Sequence, residues 1–260
     1  MAQSRWIFWH RRDLRIYDNL GLSESRKKTN AITGVFIFDE RIFPKNSKKS
    51  LIAPAQNWFL TKSLEELRNK WIEIGSELII MHGNPVELIP HFAELINAEV
   101  VAWNSDVEPQ IRLQEQQISN ALQKQSIKVF SYWDHILIKP NELRTIQGET
   151  YKVYGPFWNK WKQKVDQKIS TISALEGGLK PSESPLDLLG LNLKEKNKIR
   201  KIMGNKYLDN PSLKIEEIEQ ENIFKGIELC PCKPGEIAGK EQLSYFINSK
   251  KIFSYKKNRD

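Results

Sequence analysis

The sequence predicts an α/β fold: a five-stranded, doubly wound parallel sheet of Rossmann-like kind, followed by a long connector and an incomplete helical segment. Three observations predict it. Five short apolar runs alternate with four amphipathic stretches through the first 135 residues. The run at 32–39 is continuously apolar, as expected of a parallel strand covered on both faces by crossover helices. The alternation itself is that of right-handed β-α-β units.

The elements follow in order. Residues 5–9 form a short apolar strand, and Asp18-Asn19 then supplies a capping signal for a helix through Lys27. "ITGVFIFD" (32–39) is a buried parallel strand. A long helix spans 54–74, with Leu60, Leu64, Leu67, Trp71 and Ile74 on one stripe, Pro54 in its first turn and Gly75 at its end. Strand 77–81 leads through His82-Gly83-Asn84 into helix 85–98, which buries Leu88, Phe92, Leu95 and Ile96. Strand 99–104, helix 109–124 and strand 128–133 complete the set. After Asp134 the pattern breaks. "YKVYGPFWNKW" reads as weak strand-like pieces, and "SALEGGLKPSESP" reads as loop, so the stretch is taken as a connector with a short helix at 194–203. A last helix is expected from Gly235, with Ile237, Leu243, Phe246 and Ile247 on one side. Alone ahead of "SYKKNRD" it has little to pack on, and the ending reads as interrupted.

Composition narrows the function classes. No apolar run is long enough to span a bilayer and the N-terminus lacks a signal peptide, so a cytoplasmic protein without a membrane role is expected. Cys230 and Cys232, one residue apart, suit neither an easy disulfide nor a zinc site and are read as reduced thiols. The net charge is +8 and uneven: residues 1–150 hold 19 Lys+Arg against 18 Asp+Glu, and residues 151–260 hold 21 against 14. A basic second half suits a polyanionic partner, and equally a solvated lysine-rich surface. G-x-G-x-x-G, P-loop, G-x-S-x-G and metal-spaced Cys/His patterns are all missing, which leaves hydrolytic and metal chemistry without residues. No catalytic residue and no metal site are assigned. The four histidines are scattered and read as structural, with His10 the best exception.

Doubly wound sheets bind ligands beyond the carboxyl ends of their strands. Three such ends carry chemistry: His10-Arg11-Arg12 after the first strand; Phe38 and Asp39, with Phe36 one pleat earlier, at the second; and Asn104-Ser105-Asp106, with Glu108 beyond, at the fourth. Cations, an aromatic ring and two carboxylates suit a planar, heteroatom-rich ligand.

"FWHRRDLRIYDNLGL" resembles the opening signature of the DNA photolyase/cryptochrome family. The likeness continues through "GVFIFDERIF", "APAQNWFLTKSLEELRNKW", "GNPVELIPHFAELINAEVVAWNSDVEP", "YKVYGPFWNKW" and "PGEIAGKEQL…SYKKNRD", across the chain and in order. It is strongest to cyanobacterial cyclobutane-pyrimidine-dimer photolyases with a deazaflavin antenna. The resemblance implies an α/β antenna domain over 1–134, an interdomain connector over 135–204, and the start of a helical FAD-binding domain over 205–260. It implies a light-harvesting chromophore of deazaflavin or folate type, contacted by Arg11, Phe36, Asp106 and Glu108. The alternatives for these residues are core packing at Phe36 and helix capping at Asp106, while Arg12 and Asp13 form an internal charge network. Where deazaflavin-binding relatives carry an arginine early in the long helix, this chain has Gln56. Tyr255 matches a flavin-diphosphate contact and Arg259 a DNA contact, but the following flavin-phosphate loop is not in this sequence. The resemblance therefore implies part of a light-driven repair enzyme acting on DNA with pyrimidine dimers, completed by a separate C-terminal FAD-domain chain. The alternative is a stand-alone chromophore- or nucleotide-binding module without repair activity.

Overall fold

The computed structural model describes residues 4–44, 53–174, 188–209, 232–249 and 253. Its five strands are β1 (Trp6–His10), β2 (Ile32–Asp39), β3 (Leu78–Gly83), β4 (Val100–Asn104) and β5 (Lys128–Tyr132). They form one parallel sheet in the order β3-β2-β1-β4-β5. The order reverses between β1 and β4, which makes that pair the topological switch point. The described helices are α1 (Leu20–Arg26), α2 (Pro54–Glu73), α3 (Pro85–Leu95), α4 (Pro109–Lys124), α5 (Tyr154–Ala174), α6 (Leu193–Met203) and α7 (Glu236–Asn248). The chain divides into two compact units.

The first unit comprises Met1–Trp9, Tyr17–Thr33 and Val86–Leu189. Here β1 pairs with β4 in the register Trp6↔Val100 to Trp9↔Trp103, and β4 pairs with β5 from Val100↔Lys128 to Asn104↔Tyr132. Helix α1 is capped by Asn19, whose side chain accepts from Leu22 N, and it lies against β4 and β5. The approach is close enough to require glycine at position 21: an added Cβ would meet Asn104 Oδ1 at 2.5 Å and Phe8 at 3.0 Å. Helix α4 buries Ile118 and Leu122, and the Trp6 ring stacks on Phe130 at 5.3 Å.

Of the stretch expected to be strand-like, "YKVYGPFWNKW", the part from Tyr154 on is instead the start of α5. Tyr, Val, Phe and Trp favour strands, but Phe157, Trp161 and Val165 recur at helical spacing, and Val165 is buried. Pro156 falls in the first turn, where its missing N–H costs no hydrogen bond.

The second unit comprises His10–Ile16, Gly34–Pro85 and Gly190–Asp260. β2 pairs with β3 from Gly34↔Leu78 to Asp39↔Gly83. Helix α2 buries Leu64, Leu67 and Trp71, and the Trp71 ring occupies the space where a Cβ on Gly34 would stand, 2.6 Å away. Helix α6 opens with a capping box between Asn192 and Glu195. Glu77 anchors it by accepting from Leu191 N and pairing with Lys196 at 2.7 Å. Beyond α6, Tyr207 bridges Met81 and Leu208 N donates to Ile80 O, which covers the outer edge of β3.

Helix α7 is held at its N-terminus only in part by its own turn. Gly235 N donates to Ser63 Oγ, Ile237 N to Glu66, and Glu236 accepts from Ile16 N. The side anticipated as apolar is open to solvent: Ile237, Leu243, Phe246 and Ile247 are all exposed.

Candidate functional site

At the switch point, Trp9 and Trp103 face each other edge-to-face, with ring centroids 5.9 Å apart and planes at 78°. Trp103 is buried and its Nε1–H has no hydrogen-bond acceptor among the described residues. An indole N–H is only a donor, so a buried one at the ligand-binding end of a sheet is a ready contact for a heteroatom.

Asn104 closes β4, and its orientation is fixed by chemistry. Gly21 N can only donate, so the atom facing it at 3.0 Å is Oδ1. Nδ2 then donates to Asn19 Oδ1 at 2.8 Å and reaches Asp134 Oδ2 at 3.5 Å, while Leu20 N donates to Asp134 Oδ1. Asn104 and Asn19 are both buried. This cluster ties the ends of β4 and β5 to the start of α1.

Asp106 is buried two residues further on. Its Oδ1 accepts from Val107 N and Glu108 N, and its own amide donates to Glu115 Oε1. Glu115 also pairs with Arg112 at 2.7 Å, whose guanidinium lies 5.2 Å from the Trp133 ring. Asp106 therefore holds the turn that leads into α4 by accepting from two amides ahead of the helix, whose N-cap is Glu108, and a carboxylate near that end suits the helix dipole. Glu108 is the exposed N-cap residue of α4 and makes no side-chain capping bond.

In the second unit, His10 is fully buried. Trp71 Nε1 donates to His10 Nε2 at 3.1 Å, and His10 Nδ1 lies 2.9 Å from Asp13 O. Because the indole can only donate, Nε2 must be unprotonated; the Nδ1–H tautomer then donates to Asp13 O. Both nitrogens of a neutral imidazole are satisfied. Arg11 is half-buried, with its amide donating to Asp13 Oδ1, and Asp13 is itself buried. Phe36 is buried and packs edge-on against Phe38, which packs in turn on Phe43. Asp39, at the end of β2, is chelated by Arg41 through two nitrogens.

The structure thus places Asp106 and Glu108 together in the first unit, and Arg11 and Phe36 in the second. Gln56 is exposed in the first turn of α2. Tyr255 and Arg259 lie outside the described residues. Sequence reasoning missed Trp71 as the partner of His10, and Asn19 and Asp134 as partners of Asn104. The one available signal was a buried-type Trp on an α2 stripe that also had to face the sheet. Among the described residues no group of three or more His, Cys, Asp or Glu is placed to hold a metal ion. Likewise, none of the described helices is long and apolar enough to cross a membrane. Cys232 is an exposed free thiol, and Cys230 is outside the described residues.

Burial lowers the pKa of His10 from the ordinary value of about 6.5, overcoming the opposing pull of nearby Asp13. The unfolded chain therefore takes up a proton near pH 6.5 that the folded chain refuses until lower pH. The stabilisation is complete above about pH 6.5 and is lost as pH falls towards the folded value. Denaturant titrations at pH 7.5, 6.5 and 5.5 are expected to show a declining midpoint, with the decline reduced in His10→Gln. An equal decline in both proteins would remove His10 as its source.

The DNA photolyase family profile matches residues 6–175. A deoxyribodipyrimidine photo-lyase of Synechococcus is 32% identical over 242 residues, covering 93% of this chain and 45% of its own length. An uncharacterized 31.6 kDa protein of another Synechococcus strain is 36% identical over 62% of this chain and 55% of its own. Among solved structures, a bacterial class III photolyase from Agrobacterium tumefaciens superposes with a TM-score of 0.67, at 22% identity, over 95% of this chain and 45% of that one. This chain belongs to the DNA photolyase family. It spans about half the length of the curated relatives it matches.

Proposed function

We propose that this chain is the chromophore-carrying part of a deoxyribodipyrimidine photolyase and acts in light-driven DNA repair together with an FAD-binding helical part. In this reading residues 1–134 are the antenna domain, 135–204 the connector and 205–260 the beginning of the helical domain. The observation that carries it is the pairing of 93% of this chain with 45% of a photolyase. The FAD of such an enzyme supplies the electron that splits the dimer. The one FAD contact that the resemblance assigns here, Tyr255, is outside the described residues, so no step is assigned to this chain on that account.

The antenna chromophore would be held by Arg11, Phe36, Asp106 and Glu108. The chemistry of the strand ends fits such a group. Trp103 offers a buried N–H without an acceptor among the described residues, and Asp106 and Glu108 stand at the head of a 16-residue helix. Such a group would absorb light and pass on excitation; the protein's part is to orient it and exclude water. The second reading is a stand-alone chromophore- or nucleotide-binding module without repair activity.

The test is an absorption spectrum of the chain purified from its native host. A co-purifying near-ultraviolet or visible band is expected, its shape telling deazaflavin from folate, and Glu108→Ala should lower its occupancy about tenfold, as expected for one lost charge-assisted hydrogen bond. A colourless chain that also fails to take up either chromophore would overturn the antenna assignment. Dimer repair on adding the helical part of a relative would separate the enzyme reading from the stand-alone module.

A further inference from the structure

Helix α5 carries a surface that the antenna assignment does not use. Tyr154, Phe157, Trp158, Trp161 and Val165 share one helical face by their spacing. The inner end of that face is covered, with Val165 buried. Phe157 and Trp161, with His135, Ile138, Leu143 and Tyr151, line a cavity of about 570 Å³ in the same unit. Towards the N-terminus of the helix the face runs into solvent: Tyr154 is 74% exposed and Trp158 is 42% exposed. These two rings are one turn apart, about 6 Å along the axis.

Cations flank the rings. Lys162 Nζ lies 5.4 Å from the Trp158 ring centroid, Lys160 bonds to Gln163, and Lys168 donates to Leu137 O. Residues 152–168 hold five lysines against a single acidic residue, Asp166. Among the described side chains of residues 151–168 the exposed large apolar groups are aromatic apart from Val153, whereas a helix lying in a membrane interface needs a broad aliphatic face. Flat rings at turn spacing, bordered by lysines, on a chain of net charge +8, match the stacking platform and basic border that hold single-stranded nucleic acid.

We propose that the exposed half of α5 and the adjoining cavity form a binding site for single-stranded nucleic acid. Successive bases stack on Tyr154 and Trp158, one base enters the cavity against Phe157 and Trp161, and Lys160, Lys162 and Lys164 face the phosphates. The inference is independent of the antenna assignment and would stand if the chain proved colourless.

The experiment is fluorescence anisotropy of the 260-residue chain with a labelled oligo(dT) of about 12 nucleotides, a length within the usual single-strand site sizes. Binding in the range of about 1–100 µM that weakens with salt is expected at low ionic strength. Tyr154→Ala and Trp158→Ala should each weaken it about tenfold, in line with the loss of one stacked base. A Lys160→Gln, Lys164→Gln double variant should flatten the salt dependence. All four positions are exposed or half-exposed on a helix surface, and circular dichroism checks that the variants fold. Three results would overturn the proposal: no binding at low salt, binding that the aromatic variants leave unchanged, or binding of phosphatidylserine vesicles with the same residue dependence in place of the oligonucleotide. Protection of Trp158 by a helical protein partner that oligo(dT) does not compete away would overturn it as well, by assigning the surface to a protein contact.

Discussion

Replacing Trp71 with alanine is expected to destabilise the chain by about 3–5 kcal/mol, the range for removing a large aromatic side chain from a core. Trp71 is fully buried in α2. It fills the volume that Gly34 leaves open. The change also leaves His10 Nε2 buried without the donor it now has at 3.1 Å, which adds to the cavity term. Trp71→Phe separates the two contributions. It keeps most of the ring packing and removes only the donor, so a smaller loss of about 1–3 kcal/mol is expected. The measurement is the denaturation midpoint at pH 7.5, where His10 is neutral in both folded and unfolded chains. A loss below about 1 kcal/mol for Trp71→Ala would show that α2 does not hold the loop after β1 in the way described. Gly34→Ala approaches the same contact from the other side, because its new Cβ would stand 2.6 Å from the ring and force the indole to shift.

The same pair of residues shows what the sequence made legible. Strands β1 to β4 and the helices between them were readable because a parallel strand buried on both faces leaves an apolar run, and its crossover helix leaves a stripe; β5, an edge strand largely open to solvent, was readable from the alternation alone. "ITGVFIFD" and "PQIRLQEQQISNALQK" fall on β2 and α4 residue for residue. Helix α5 was not readable by composition, because its aromatic residues carry a strand preference that tertiary packing overrode. The site was readable only to the extent that topology predicts it. A doubly wound sheet directs attention to the residues after β1 and β4, and the charged ends of those strands stood out there. What fixes those ends was hidden, since His10 meets Trp71 across 61 positions and Asn104 meets Asn19 across 85. Contacts of that range leave no period in the sequence. Even Gly21 and Gly34, which make both contacts possible by lacking a Cβ, look like ordinary residues of a helix and a strand until their neighbours are known.

Asn104→Asp is expected to cost about 3–5 kcal/mol at neutral pH, although the two side chains are nearly the same size. The substitution keeps the acceptor that meets Gly21 N. It replaces a donating NH₂ with an oxygen that faces two further oxygens: Asn19 Oδ1 at 2.8 Å and, at 3.5 Å, the carboxylate of Asp134. A buried charge would then stand beside a like charge, where the wild type has an uncharged amide that donates to both oxygens. Protonation removes most of the conflict, because a carboxylic acid can donate where the amide did. Burial and Asp134 both raise the folded pKa of the introduced group above its unfolded value of about 3.9. The sign follows: the penalty is largest above the folded pKa and shrinks as pH falls through it, the reverse of the acid dependence expected from His10. The difference in midpoint between Asn104→Asp and wild type, followed from pH 7.5 down to 4.5, isolates the effect, because His10 contributes equally to both proteins. Asn104→Leu provides the uncharged control: it should be destabilised with no such convergence at low pH. A variant within about 0.5 kcal/mol of wild type at pH 7.5, the spread of ordinary surface substitutions, would mean that the Asn19–Asn104–Asp134 cluster does not hold α1 to the switch point. So would a penalty that does not change with pH.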